Sequence, residues 1–586
     1  MFGKIVYIND NLAHIKITDG TPLATNLMNL HIMFEDEKKK ILGEVEDIGE
    51  EIIKVRFLGE IVNNRFVGGV IRKPTLSANI RIITNEEVAL IVGENNASSF
   101  QLGVSPLYDD YPIMVDINDL FSNHMAIFGN TGSGKSCGVA RILQNVLSNP
   151  NLVPLKSNFF IFDAYGEYHN AFMEINKINP NLNFKFYTTN IYEKGGDRLR
   201  IPLWLLGVDD IALLLSAEQH SQLPIIERML KLVAIFSENT AEAMKYKNHL
   251  IAKAIMTILY TNQTSSSKRN DIFSILATCN TEQFNLEAPI RGVGYVRKLR
   301  ECFIIDTEGN FTESVLMTEY ISMFINDELE KYESKIKSFY TLDNLEDALD
   351  FTLISEGLLR NEKSYNDAIT LKVRLHAIVI GDYSQYFKMD EYITMENYIA
   401  SLVSMNGRKA QVINFNLEDV DDWFAKVVTK VFTKLFFDFT KKLKVRASIP
   451  FHIFLEEAHR YVQNDNDKYL LGYNIFDRVA KEGRKYGLIF NLISQRPVEI
   501  SETVISQCAN FLIFKMNHPR DIEYIKKMIP NINAEIVEKQ KSLQPGTCVA
   551  FGKAFKVPMI VKMQMPHPEP QSSNSDVADR WVVKPQ

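Results

Sequence analysis

Between the apolar run "MAIF" and the amphipathic stretch "CGVARILQNVL" stands "GNTGSGKS", residues 129–136. A loop that begins and ends on glycine, closes a strand and opens a helix turns its backbone N–H groups toward one point, where the helix adds its positive end. The occupant this predicts is a chain of phosphates, held by Gly129, Asn130, Thr131, Gly132, Ser133, Gly134, Lys135, Ser136 and Cys137. Lys135 is placed to reach the β- and γ-phosphates of ATP, and Ser136 to ligate Mg²⁺. A loop of this kind needs a parallel sheet beneath it, so the predicted fold class is α/β.

The rest of the chain supplies that sheet. "HMAIFG", "NFFIFD", "AQVINFN", "PFHIFLE", "GLIFNLIS" and "NFLIFKM" are continuous apolar runs, as expected of parallel strands covered on both faces. Several end in polar residues, and open parallel sheets collect ligands at the carboxyl ends of their strands. Glu456 and Glu457 follow "FHIFL"; Glu456 is expected in the magnesium shell and Glu457 to polarise the attacking water. The more usual residue at the first of these positions is Asp, so Glu456 brings an extra methylene to the metal. Gln495, after "GLIFNLIS", is placed to sense the γ-phosphate. Asp163 and Glu167, in "FDAYGEY", fall near the same crevice, as metal support, as water positioners or as turn residues. "FDRVAKEGRKYG" reads as one helix, on which Arg478 and Arg484 stand about 120° apart, so at most one faces a given phosphate. Arg484 is the preferred arginine for a neighbouring subunit's phosphates, with Arg478 and Arg496 as rivals.

At 586 residues the chain is too long for one core, and roughly three or four units are expected. Residues 1–105 read as short strands separated by turns, several alternating as in "IKVRFLGEI", and predict a small β-barrel. Residues 106–206 and 401–564 form the two parts of the ATPase core, and 207–400 a helical domain inserted between them. Its predicted helices include "SQLPIIERMLKLVAIFSEN", "EAMKYKNHLIAKAIMTILY" and "LMTEYISMFINDELEKYESKIK", with "TNQTSSSKRND" as a polar loop. Residues 565–586 form a Pro/Ser-rich tail that ends in an apolar anchor around Trp581. Five scattered cysteines without a CxxC pair argue against disulfides and zinc, and favour a reducing cytoplasm. No run is apolar enough to cross a bilayer. A net charge of −7 argues against a generally basic surface, so nucleic-acid contacts would have to be concentrated in a channel.

The ordered set "HMAIFGNTGSGKS", "FDAYGEY", "RIPLWLLG", "FLEEAHRY", "AKEGRKYG" and "ISQRP", behind a leading barrel, resembles the HerA family of hexameric ATPases and DNA translocases. These are relatives of FtsK and of conjugation ATPases in the RecA-like class, and the resemblance extends over most of residues 1–560. It implies a RecA-like P-loop core with an N-terminal β-barrel and an inserted helical domain. It also implies a homohexamer with ATP and Mg²⁺ at subunit interfaces, duplex DNA in a central channel, and a tail braced on the neighbouring subunit. In this family the ring partners a nuclease; in bacterial anti-phage defence operons it partners effectors such as nucleases or sirtuin-type NAD-degrading enzymes. By that analogy the barrel face is the docking surface.

Three basic clusters are candidates for gripping DNA phosphates: Arg291, Arg297, Lys298 and Arg300; Arg408 and Lys409; and Lys441 to Arg446. Spacing does not choose between them. Two other readings compete with a DNA motor, namely an ATP-gated scaffold that switches an effector and a protein-directed ATPase at a membrane. No guanine-binding NKxD signal is present to support a GTPase.

Overall fold

In the computed structural model, residues 3–17, 27–36, 39–149, 152–192, 197–332, 339–356, 362–528 and 539–572 are described, with Val577 and Trp581. They belong to two compact units. One comprises Met1–Thr189, Ile399–Asp465 and Asn474–Gln586; the other comprises Asn190–Tyr398 and Asn466–Tyr473. The helical insertion therefore starts earlier than the expected residue 207 and recruits a short second piece of chain.

The first unit opens with an antiparallel sheet of β1 (Gly3–Ile8), β2 (Leu12–Ile17), β3 (His31–Asp36), β4 (Lys39–Ile48), β5 (Ile52–Val62), β6 (Arg65–Gly68) and β7 (Asn79–Ile82). Their order is β1-β2-β5-β4-β3-β7, with β6 on β5. Alternating side chains, among them Ile15, Ile32, Phe34, Ile41, Val45 and Val55, fill its interior. Register shifts at Leu42/Gly43 and Val45/Asp47 bend the long β4–β5 pair. The pairing path does not close on itself among the described residues, so the expected barrel is a curled, open sheet.

The core sheet contains β8 (Ser99–Ser105), β9 (Tyr111–Asp116), β10 (Met125–Phe128), β11 (Phe159–Asp163), β12 (Phe184–Thr188), β13 (Val412–Asn416), β14 (Phe451–Leu455), β15 (Leu488–Ser494), β16 (Asn510–Phe514), β17 (Thr547–Gly552) and β18 (Met559–Lys562). They run in the order β12-β13-β11-β14-β15-β10-β16-β17-β18-β8-β9. From β12 to β16 all neighbours are parallel; beyond β16 they are antiparallel. Every residue of β10, β11, β13, β14 and β16 is buried, which accounts for their unbroken apolar runs. Because β8 pairs with β18, the core sheet includes Ser99–Ser105, residues assigned by sequence to the N-terminal barrel. "FQLGVS" alternates as an outer strand should, and that period does not reveal which sheet it joins.

Helix α1 (Lys135–Leu147) leaves the phosphate loop, α2 (Asp422–Lys442) covers the sheet through Phe432 and Phe436, and α3 (Ile475–Glu482) precedes β15. The chain leaves β10 for β11 three strands away, and this change of direction opens a crevice at the carboxyl ends.

In the helical unit, Gln222–Phe236, Ala241–Leu259 and Leu342–Ser355 bury Ile226, Met229, Val233, Ile251, Ile255, Leu345 and Leu349 completely. "TNQTSSSKRND" is not a loop: Thr264 caps a helix, Ser265–Thr278, by accepting the Ser267 N–H at 3.3 Å. Ser and Thr, read as loop residues, are here the N-cap and first turn. The helix expected over 316–337 is shorter, Ser314–Ser322, followed by a 3₁₀ turn at Asp327–Lys331; residues 333–338 lie outside those described.

Candidate nucleotide site

The phosphate loop takes the predicted form. Gly132 and Gly134 have φ of 73° and 98°, so the chain turns in the left-handed region before α1 begins. A side chain at Gly134 would also come within 2.7 Å of Gly546 N. Ser133 Oγ and Lys135 Nζ both donate to Asn130 O, at 2.6 and 3.0 Å, which holds the loop in shape. Lys135 is buried, and desolvation lowers its pKa despite the opposing pull of Glu457, Glu456 and Glu167.

Three carboxylates, Glu457, Glu456 and Glu167, act on this lysine, and a fourth, Asp163, lies beside the last two. Asp163 is fully buried and accepts from Glu167 N at 3.0 Å, Tyr168 N at 2.9 Å and Asn414 Nδ2 at 2.9 Å, so it builds the "DAYGEY" turn. Glu167 lies against the Ser136 hydroxyl; burial raises its pKa, with Asp163 and Glu457 adding to the effect. Glu456 is buried beside Asp163, and desolvation followed by that neighbour pushes its carboxyl well above the usual range. Glu457 has φ 46° and ψ 48°, a left-handed conformation that a glutamate adopts at a cost of about 1–3 kcal/mol. Adjacent acids thus leave the strand in different directions, Glu456 inward and Glu457 toward the loop lysine, whose largest charge partner it is. Arg460 steadies the turn by pairing with Asp422 and lying over the rings of Tyr165 and Tyr461, each 5.6 Å away.

β15 lies between the acidic strand β14 and the loop strand β10, so its tip touches both. Thr131 Oγ1 donates to Gln495 Oε1 at 2.7 Å. One residue earlier, Ser494 Oγ lies 3.1 Å from His459 Nδ1, which is itself 3.2 Å from Glu457 Oε2. Sequence reading missed His459 because its role comes from this cross-strand proximity; its place in "EEAH" was the available signal.

The arginines separate. Arg484 is exposed in a 3₁₀ turn (Gly483–Tyr486) that follows α3, so it does not share one continuous helix with Arg478. That turn leads into the amino end of β15, and its charge is felt by His124, just before β10. The four residues of β10, about 13 Å, separate that end from the loop, so Arg484 stands at the opposite edge of the sheet from its own phosphate site. Arg496 follows Gln495 at the same edge as the loop. Arg478 lies over Phe437 at 5.6 Å.

The basic clusters also differ. Lys298 and Arg300 both pair with Glu287, at 2.7 and 2.8 Å, and Arg297 with Glu313 at 3.4 Å. Lys409 Nζ is engaged by Lys156 O and Ser157 O at 2.7 and 2.9 Å, and burial lowers its pKa to about 8, so it clamps a loop. Lys441 and Arg446 instead flank the ring of Tyr486, at 5.8 and 5.7 Å, beside Arg484 and Lys485. Two motifs distant in sequence thus form one basic, aromatic patch.

The tail, expected as a brace on a neighbour, lies on its own chain as far as Ser572, along α1. Trp581 is exposed, and most of 573–586 lies outside the described residues.

Glu167 Oε2 and Glu456 Oε2 are buried without a hydrogen-bond partner, a setting that a divalent cation would satisfy. Among the described residues no group of three or more His, Cys, Asp or Glu forms a metal cage. Mg²⁺ would therefore depend on Ser136, a carboxylate and oxygens of the nucleotide itself.

A parallel sheet with this strand order, a phosphate loop on one strand and an acidic pair two strands away define a RecA-like P-loop ATPase. The comparisons refine this class. Residues 100–288 match the family described as Helicase HerA, central domain. The "DNA double-strand break repair helicase HerA" of Sulfurisphaera tokodaii is 24% identical over 96% of this chain and 88% of its own length. The protein of the same name from Pyrococcus furiosus is 21% identical over 90% and 79%. Among solved structures, VirB4 of Thermoanaerobacter pseudethanolicus covers 80% of this chain and 98% of its own at 12% identity, with a TM-score of 0.41. The chain is thus similar to HerA helicases along most of its length, and it is an ATP-hydrolysing enzyme with a RecA-like core.

Proposed function

We propose that this chain is a motor that uses ATP and Mg²⁺ to move duplex DNA through a homohexameric ring. The observation that carries the reading is the position of Arg484, at the sheet edge remote from its own phosphate loop. An arginine so placed serves catalysis by entering another subunit's site, and rings supply such a neighbour at every site. Within each subunit, Lys135 and the loop N–H groups hold the phosphates, Ser136 and Glu456 hold the metal, Glu457 orients the attacking water, and Gln495 reports the γ-phosphate. Mg²⁺ would neutralise charge on the transferred phosphoryl group. The patch around Lys441, Arg446 and Tyr486 suits sequence-independent phosphate contacts.

An effector of nuclease or sirtuin-type NAD-degrading class is assigned to the N-terminal sheet. There Val62, Val67, Ile71 and Leu76 are exposed, Ile71 to 95%, an apolar surface suited to a protein partner. This partner fits an anti-phage defence system or DNA end processing. Five free cysteines, and no membrane-crossing helix among the described residues, support a cytoplasmic setting.

Long duplex DNA is expected to stimulate ATP hydrolysis by the purified ring, and Lys135→Ala to abolish hydrolysis while leaving the ring assembled. Equal rates with and without DNA, but stimulation by a partner protein, would favour the ATP-gated scaffold. Mixing Glu457→Gln with Arg484→Ala subunits should restore some activity; a mixture as inactive as its parents removes Arg484 from the shared site.

A further inference from the structure

We infer that residues 564–572 form a strap that closes the sugar side of the nucleotide site on their own chain, with residues 570–572 facing the ribose. The inference rests on the nucleotide reading above and names a part of the site that the phosphate-loop motif does not contain.

The strap starts behind the phosphate loop. Met563 N donates to Gly546 O at 2.8 Å, and Gly546 N donates to Ser133 O at 2.9 Å. It then runs along α1 against the direction of the helix. Gln144, 3% exposed, accepts from His567 N at 2.9 Å and donates to Pro568 O at 2.9 Å. Asn170 Nδ2 donates to Glu569 O at 2.8 Å, and Gln571 N donates to Glu167 O at 2.8 Å. Ser572 Oγ arrives 3.9 Å from Cys137 Sγ. Over eight residues of helix, from 144 back to 137, the strap has travelled to the phosphate end. Pro566 and Pro570 are buried and Pro568 is half-buried, so the ring-fixed backbone docks with little further loss of conformational freedom.

Its end point identifies what it meets. The N–H after the loop's Lys-Ser pair belongs to Cys137 and serves the α-phosphate side, while Lys135, Glu457 and Gln495 gather at the γ end. The ribose is attached to the α-phosphate. Gln571 and Ser572 are exposed there, with a side-chain amide and a hydroxyl suited to sugar hydroxyls. Glu167 joins the two halves: its carbonyl anchors Gln571, and its carboxylate lies against Ser136.

A strap on the sugar side affects the nucleoside and not the phosphates, and calorimetric titration of the full chain with ATP, ADP and inorganic tripolyphosphate, each with Mg²⁺, tests this. The double variant Gln144→Met, Gln571→Pro, which removes the clamp and the anchoring N–H, is expected to weaken ATP and ADP about tenfold and leave tripolyphosphate unchanged. Gln571→Pro alone, which leaves the buried glutamine intact, should show the same selective pattern to a smaller degree. Equal weakening of tripolyphosphate, no weakening of any ligand, or tighter ATP binding as from a released inhibitor each overturns the strap. Failure of the unaltered chain to bind any of the three overturns the nucleotide reading with it, so the two failures are distinguishable.

Discussion

Thr131 in the phosphate loop and Gln495 at the tip of β15 are hydrogen-bonded at 2.7 Å across 364 residues of sequence. The loop and the strand beside it therefore hold each other directly. On the proposed reading, in which Gln495 senses the γ-phosphate, this bond links that sensor to the phosphate loop.

Gln495→Ala should leave ATP binding within about threefold of the unaltered protein and lower turnover about tenfold or more, because a positioned donor is lost only where charge develops. Thr131→Val, which breaks the same bond but leaves the amide in place, should cost less. Equal losses in turnover would make the pair a structural tie. Steady-state hydrolysis with separate nucleotide titration checks both.

Glu457 stands in a strained left-handed conformation next to His459, and His459 is steadied by Ser494. Glu457→Gln should reduce turnover about 10²- to 10⁴-fold with ATP still bound. His459→Ala should lower kcat with little change in KM, and His459→Asn, which returns a donor near Nδ1, should recover part of it. A KM effect alone would show that the histidine supports binding and does not position Glu457.

The patch around Tyr486 is the best placed of the three basic clusters, since Lys298, Arg300 and Lys409 are already engaged. Lys441→Ala with Arg446→Ala should weaken duplex binding for all sequences alike and reduce the slope of log K against log salt by about 2. Binding measured over a salt series decides this; an unchanged slope removes the patch from the DNA path.

His452 is buried between Phe121 and Phe159, with both ring centroids at 5.4 Å, and its Nδ1 has no hydrogen-bond partner. Burial pushes its pKa down to about 4, below the unfolded value of about 6.5. Between these values the unfolded chain binds a proton that the folded chain does not. The contribution is thus full above about pH 6.5 and is lost as pH falls toward 4. His452→Phe should gain about 2 kcal/mol relative to the unaltered protein on going from pH 7 to pH 5. Denaturant unfolding at the two pH values tests the difference; His31 and His124, which shift in the same direction, are common to both proteins.

The parts legible in sequence were those whose chemistry is contiguous. The phosphate loop needs neighbouring glycines, a lysine and a serine, and the parallel strands need unbroken apolar runs, so both were readable. Glu456 and Glu457 were readable as a pair but not as two directions, because the left-handed turn between them is a tertiary constraint. The patch at Tyr486 was invisible, since α2 and the turn after α3 meet only when packed on one sheet. Ser and Thr at 264–267 suggested a loop because the same side chains cap helices. The proline-rich tail resembled a linker in composition; its hydrogen-bond partners Gln144, Asn170 and Glu167 are dispersed along the chain.

The short excursion Asn466–Tyr473 leaves the core just after the acidic motif, belongs with the helical unit, and returns just before α3. Asp465 and Asn474 are hydrogen-bonded at 3.0 Å where it departs and returns, and within the helical unit Tyr473 is bonded to Asp209. The helical unit is therefore not a cassette that can be excised at two junctions and replaced by a linker. Its removal would strand a loop between Asp465 and Asn474. Replacing that unit therefore also means replacing the eight residues Asn466–Tyr473 on the far side of the acidic motif.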